Sequence, residues 1–294
     1  MKLVRSKIIY ILSLLVISFS NAQANISSPE DFEKLSRNLI ASIKTKNSAK
    51  TLVILPLEGF LFDPDIEELY PSDGLSHNIV KKNLERIKFS VRPYIDELIL
   101  VKYPIKKPDP KIVSFIEELQ KFNVPLVVVT KNISGSIDDI KHLEVWTWMQ
   151  LYNHGINLSL SPIGEKQFKF YNREKVRGTY PTFFRGLLSC NSYEKKNSPQ
   201  NIIASLLVTK LQWFPDTIYI VDQDRGYIKS LSNQFKSLKQ ETYVEGFVYQ
   251  KIKESKKTEK NIEKFTEFWE NLVDSLNKVQ RIELESEIQD PYEQ

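Results

Sequence analysis

The sequence predicts an α/β fold, a Rossmann-like parallel sheet flanked by helices, and three observations carry that reading. Three runs, Leu52 to Leu55, Val124 to Val129 and Ile218 to Val221, are apolar on both faces, as strands covered by helices above and below must be. Each run stops at a residue that breaks it, Pro56, Thr130 and Asp222 respectively. Between the runs, apolar residues recur at helical spacing, the alternation of a repeating strand–helix unit. Ligands bind such sheets at the carboxyl tips of the strands, so these three ends are where a site is expected.

At the N-terminus, Lys2, Arg5 and Lys7 precede a nearly continuous apolar run from Ile8 to Phe19, and Asn21 to Ala24 closes it with an Ala-x-Ala pattern. These are the three regions of a secretory signal peptide, so residues 1–24 are expected to be removed and the mature chain, starting at Asn25, to be exported, periplasmic or secreted. An apolar run of about a dozen residues is short beside the roughly 20 that cross a bilayer, and no later run is longer, so no stable span is expected after cleavage. The leader holds three of the 41 basic residues, which leaves 38 against 37 acidic ones. A nearly neutral chain offers no basic surface for nucleic acid. The single Cys190 permits no internal disulfide, and its neighbours Leu187 and Leu188 mark it as a small buried side chain. There is no Walker loop and no Gly-x-Gly-x-x-Gly. Residues 25–250 read as one α/β domain with an insert at about 65–105 and a β-ribbon at about 155–190, followed by a charged helix and tail over 251–294.

In chain order, Ser27 to Asp31 supplies a capping residue, Pro29 and acids for a helix whose apolar positions are Phe32, Leu35, Leu39, Ile40 and Ile43. The first buried strand follows, and Pro56 stands at its tip because proline cannot donate to a ladder in mid-strand. The insert carries a helix from Leu75 to Ile87 and an extended piece from Leu98 to Tyr103. Asp109 and Pro110 open a helix with Ile112, Phe115, Ile116 and Leu119, which feeds the second strand. A helix from Ser136 to Tyr152 carries His142, Trp146, Trp148 and Met149 as core packing. Gly155 to Leu160, Phe168 to Tyr171 and Phe183 to Ser189 form the ribbon. Ser198, Pro199 and Gln200 start an amphipathic helix (Ile202, Ile203, Leu206, Leu207, Leu211) that precedes the third strand. Thr242 to Val248 gives another strand. Beyond a charged stretch, Ile262, Phe265, Phe268, Trp269, Leu272, Leu276 and Val279 mark a long amphipathic helix that packs on the body, and the acidic tail after Glu283 frays.

The segment from Thr51 to Pro64 resembles the first motif of the haloacid dehalogenase (HAD) superfamily, an apolar strand followed by Asp-x-Asp-x-Thr or Val and further apolar residues. In that frame Pro56 falls on the first Asp, Glu58 on the second, Gly59 on the usual Gly or Asn, and Phe60 on the Thr. The strand ending in Thr130 resembles the second motif, whose hydroxyl binds phosphate. The third motif's Lys falls on Gln200, and the fourth motif's acid pair falls on Asp222 and Gln223. Phe183 to Ser189 resembles a ribbon of an uncharacterised family of exported HAD-like bacterial proteins, over segments spread from about residue 27 to 250.

The resemblance implies a HAD-type sheet with a degenerate site. In HAD phosphatases the first Asp is both nucleophile and Mg²⁺ ligand and the second is the general acid/base. Proline has no side-chain oxygen for either role. Asp222 alone remains as a weak cation ligand. The expected function is therefore that of a catalytically inactive protein that binds an unknown ligand or protein partner, with no cofactor. The alternative is an Mg²⁺-dependent phosphatase that uses Asp63-Pro64-Asp65 as a shifted motif. A structural component of the cell envelope is a third reading.

Overall fold

The computed structural model describes residues 25–62, 74–87, 95–102, 105–106, 109–192, 195–249 and 262–288; the leader, the shifted motif Asp63 to Asp65 and the charged stretch 251–260 lie outside them. Strands β1 (Asn25–Ser27), β2 (Thr51–Pro56), β3 (Leu126–Thr130), β4 (Gln167–Lys169), β5 (Thr182–Phe184), β6 (Leu187–Ser189), β7 (Thr217–Asp222) and β8 (Tyr243–Val248) form one sheet in the order β1-β8-β7-β2-β3-β6-β5-β4. Pairing is parallel from β1 to β6, while β5 runs antiparallel to both β6 and β4. The helices are α1 (Phe32–Lys44), α2 (Gly74–Arg86), α3 (Ile95–Lys102), α4 (Pro110–Lys121), α5 (Leu143–Asn153), α6 (Pro199–Ser205), α7 (Arg225–Leu238) and α8 (Ile262–Ile288).

Alternation along the strands divides the core into two layers. Val53, Leu55, Leu126, Val128, Tyr219 and Val221 pack beneath α1, α4, α5 and α8. Leu52, Ile54, Val127, Val129, Ile218 and Ile220 pack beneath α6 and α7. The three runs are thus apolar throughout because both faces are covered, and burying each such aliphatic side chain contributes about 1.5–3 kcal/mol. β2 is flanked by β3 and β7, with Val53 opposite Leu126 on one side and Tyr219 on the other. The helix before β3 lies on one face and the helix after β7 on the other, so the β2–β7 boundary is a point where connections diverge. Such a divergence opens a crevice at the carboxyl ends of the strands.

Several elements differ from the sequence expectation. Asn25 to Ser27 is an edge strand paired with β8, and Asp31 caps α1 by accepting Lys34 N–H at 2.7 Å. Ile95–Lys102 is helical where an extended piece was expected, because its consecutive Leu98, Ile99 and Leu100 are all buried among helices rather than in a sheet. The helix expected from Ser136 begins at Leu143. Gly135 and Asp138 have φ of +95° and +49°, and Ile137 and Ile140 exchange backbone hydrogen bonds of 2.8 and 2.9 Å. Leu158–Leu160 is a 3₁₀ turn and not part of the ribbon. α8 stays helical to Ile288, past the point where fraying was expected. It packs on α2 and α3 through Phe265, Phe268, Trp269, Leu272, Val273 and Leu276, so the insert and the C-terminal helix share one core.

Candidate functional site

At the tip of β2, Pro56 is half-buried opposite Val129, and the ladder resumes one residue later when Leu57 N–H donates to the Val129 carbonyl at 2.8 Å. A tight turn follows, closed by Phe62 N–H to Leu57 O (2.9 Å) and Gly59 N–H to Phe62 O (3.1 Å). Buried Phe60, Leu61 and Phe62 anchor this turn and leave Glu58 exposed above the sheet.

Thr130, at the tip of β3, donates its hydroxyl to Glu58 Oε1 and accepts Asn132 N–H on the same oxygen at 3.0 Å. The backbone donor leaves the hydroxyl proton free to point at the carboxylate, which orients Glu58. At the tip of β7, Asp222 Oδ1 accepts Asp224 N–H at 2.8 Å, and Asp224 in turn caps α7 through Gly226 N–H at 2.7 Å. Gln223 lies against the β2 turn: a Cβ on Gly59, whose φ is +73°, would stand 1.8 Å from Gln223 Nε2. The ends of β2, β3 and β7 therefore meet, as their order and parallel pairing require. Gln200 is half-buried in the first turn of α6, and no hydrogen bond or ion pair among the described residues joins it to Glu58, Thr130 or Asp222.

Two further residues, Tyr227 and Cys190, lie beside these strand ends. Tyr227, in the first turn of α7, has its phenol held well above the usual tyrosine range by burial first, then by Cys190, Asp222 and Glu58. Side chains tilt toward a helix N-terminus, so a residue in this turn leans back over the strand end; a Tyr three positions into a helix that follows an acid-tipped strand is the signal that could have found it. Burial, and after it Glu58, pushes the Cys190 thiol far up, so it is inert. Burial also raises the Asp222 carboxyl, against the pull of the Asp224 N–H, the exposed Lys131 and the Gln223 N–H.

The loop after Thr130 is held by side chains from three elements. Glu97 of α3 accepts Ile133 N–H at 3.2 Å, Asn191 beyond β6 accepts Ser134 N–H at 2.8 Å, and Glu144 of α5 accepts Gly135 N–H at 2.7 Å. Glu97, Asn191 and Glu144 are all buried. They take up the donors that a loop without its own ladder would otherwise leave unpaired.

Among the described residues, the three strand tips do not offer Mg²⁺ the several hard oxygens in near-octahedral array that it needs. The β2 tip is proline, the residue after Asp222 is an amide packed on Gly59, and no group of three His, Cys, Asp or Glu suited to a metal occurs among the described residues. A groove of about 550 Å³ lies at the amino ends of β3 and β7, lined in part by Pro125, Ile163, Leu211 and Trp213.

A family model described as "Protein of unknown function (DUF2608)" matches residues 38–281. Similar relatives include uncharacterized proteins of Rickettsia felis (24% identical, covering 91% of this chain and 90% of the relative), Rickettsia bellii (25%, 83% and 82%) and Rickettsia conorii (25%, 92% of each). No solved structure matches the chain.

Proposed function

This chain belongs to the DUF2608 family, and we propose that it is an exported protein on a HAD-like, Rossmann-type frame that has lost phosphoryl transfer and uses the crevice above β2, β3 and β7 to hold a ligand or protein partner. The observation that carries the reading is Pro56 at the tip of the central strand, with Glu58 beyond it hydrogen-bonded to Thr130. Covalent phosphoryl transfer needs an oxygen nucleophile in line with phosphorus, and proline supplies none. Gln223 and Gln200 stand where the resemblance calls for a second acid and a lysine, so the carboxylate that would attract the cation and the ammonium that would counter the phosphate's charge are missing as well. Glu58 is left as a possible proton donor, an effect worth about 10²–10⁴ only where there is a reaction to assist.

The test is an assay of the chain beginning at Asn25, with Mg²⁺ and p-nitrophenyl phosphate, for which phosphate release at the buffer rate is expected. Turnover abolished by Glu58→Gln overturns the reading. Turnover abolished by changes at Asp63 or Asp65, and not by Glu58→Gln, establishes the shifted motif instead. Export is tested separately by N-terminal sequencing of the chain from the extracytoplasmic fraction, which should begin at or near Asn25.

A further inference from the structure

The groove at the amino ends of β3 and β7 stands apart from the crevice at the carboxyl ends, so the phosphatase assay does not bear on it. Its volume of about 550 Å³ falls within the roughly 300–1,000 Å³ that hold a small molecule. Its walls include Leu160, Ile163, Leu211 and Trp213. Leu160 is 62% exposed and Trp213 only partly buried, so these apolar walls face water. The backbone that presents them is unusual. α6 runs on into a π segment, Leu206–Leu211, which Gln212 ends in the left-handed conformation at φ +49°, and Trp213 N–H then returns to Leu207 O at 3.0 Å. A left-handed residue with a Cβ is costly, and π segments recur at functional sites. The polar part of the lining is one-sided. Lys166, Asn123 and Trp213 bring N–H donors, and none of these side chains makes a hydrogen bond or ion pair among the described residues. No aspartate or glutamate lines the groove, and Glu165, beside Lys166 in sequence, is exposed and outside the lining.

We propose that this groove binds a free long-chain carboxylate, with its hydrocarbon chain along Leu160, Ile163, Leu211 and Trp213 and its head group on Lys166. A carboxylate only accepts hydrogen bonds, so it matches an ammonium, an amide N–H and an indole N–H. The ammonium–carboxylate bond is charge-assisted, and each methylene taken out of water adds to the affinity. A chain with a cationic head brings like charge to Lys166, and a short carboxylate leaves the walls wet.

The test is calorimetric titration of the chain beginning at Asn25 with sodium dodecanoate below its micellar range, with octanoate and dodecyltrimethylammonium as controls. One-site binding of dodecanoate is expected, about tenfold or more tighter than that of either control. Lys166→Glu and Leu160→Asp, both at exposed positions, should each weaken dodecanoate by about five- to tenfold, and Lys166→Glu should tighten the cation by about threefold. Absence of dodecanoate binding overturns the proposal, as does equal binding of dodecanoate and the cation, or dodecanoate binding that either variant leaves unchanged. Should Leu160→Asp fail to fold, the exchange of preference in Lys166→Glu decides alone. Sedimentation with phosphatidylglycerol vesicles separates a free carboxylate from a lipid surface: binding to vesicles without binding of dodecanoate overturns the proposal in favour of a membrane partner.

Discussion

The side-chain amide of Gln223 lies against the backbone of Gly59, joining the turn after the central strand to the end of its neighbour. A Cβ on Gly59 would overlap Nε2, and the residue's φ of +73° is one that only glycine adopts without cost.

Gly59→Ala is therefore expected to destabilise the chain by about 1–2 kcal/mol from the left-handed backbone alone. The overlap adds less, because the clashing atom is the far end of a flexible side chain. Urea unfolding of Gly59→Ala, Gln223→Ala and the double variant separates the two terms. Most of the loss should persist in the double variant, and its disappearance would assign the cost to the amide.

The grip on the loop after Thr130 makes a different prediction. Glu144→Ala leaves the Gly135 N–H buried without its acceptor, at a cost of about 1–3 kcal/mol. Glu144→Gln keeps an acceptor oxygen and should recover most of that. Amide exchange at Gly135 should accelerate in the alanine variant relative to the interior of β2. Equal exchange in both variants would show that the loop is held by its own turns.

This loop also shows where the sequence is legible and where it is not. Runs such as Leu52 to Leu55 declare themselves because both faces are buried, so strand, order and crevice edge follow from local pattern. The segment from Ser136 to Lys141 is preceded by Ser134 and Gly135, whose N–H groups are taken up by Asn191 and Glu144, partners far along the chain or across a turn. No local pattern reports such partners. Leu98 to Leu100 fits strand and helix equally, and packing against α8, more than 160 residues away, decides it. β1 is three residues long and exists only because β8 offers an edge. In the crevice, Glu58, Thr130 and Asp222 were legible because each sits at a strand tip. Gln200 follows from spacing alone, and no hydrogen bond among the described residues ties the first turn of α6 to them.

Packing of the C-terminal helix on the insert predicts a large effect at a residue far from the crevice. Trp269 is 5% exposed and its Nε1 has no hydrogen-bond partner among the described residues. Trp269→Ala should cost about 3–5 kcal/mol, as for other large-to-small core changes. Trp269→Phe should cost much less, since it removes an unsatisfied donor along with some volume. Denaturant midpoints test this; equal losses in the two variants would mean that the indole N–H has a partner worth keeping.

Cys190 provides a probe of the core beside the crevice. It is fully buried, and burial disfavours the thiolate that reagents attack. Native protein should resist 5,5′-dithiobis(2-nitrobenzoate), and labelling should proceed at the rate of unfolding and reach one thiol per chain in denaturant. Rapid native labelling would mean that the β6 end of the sheet opens locally.

Asp222 carries the pH dependence. Its carboxyl is raised by burial, against backbone donors and Lys131 that pull it down. An acid with a higher pKa folded than unfolded binds more protons in the folded state between the two values, so stability falls as pH rises through that window. The contribution is fully present below the unfolded value of about 3.9 and is lost by the raised folded value. Asp222→Asn removes this dependence while its side-chain oxygen still accepts the Asp224 N–H that Asp222 holds at 2.8 Å. The variant's stability relative to the wild type should therefore increase from pH 3 to neutrality, read as the difference between their urea midpoints. A difference that shrinks over that range would mean that the backbone N–H groups and Lys131 outweigh burial and that ionised Asp222 is favoured by the fold.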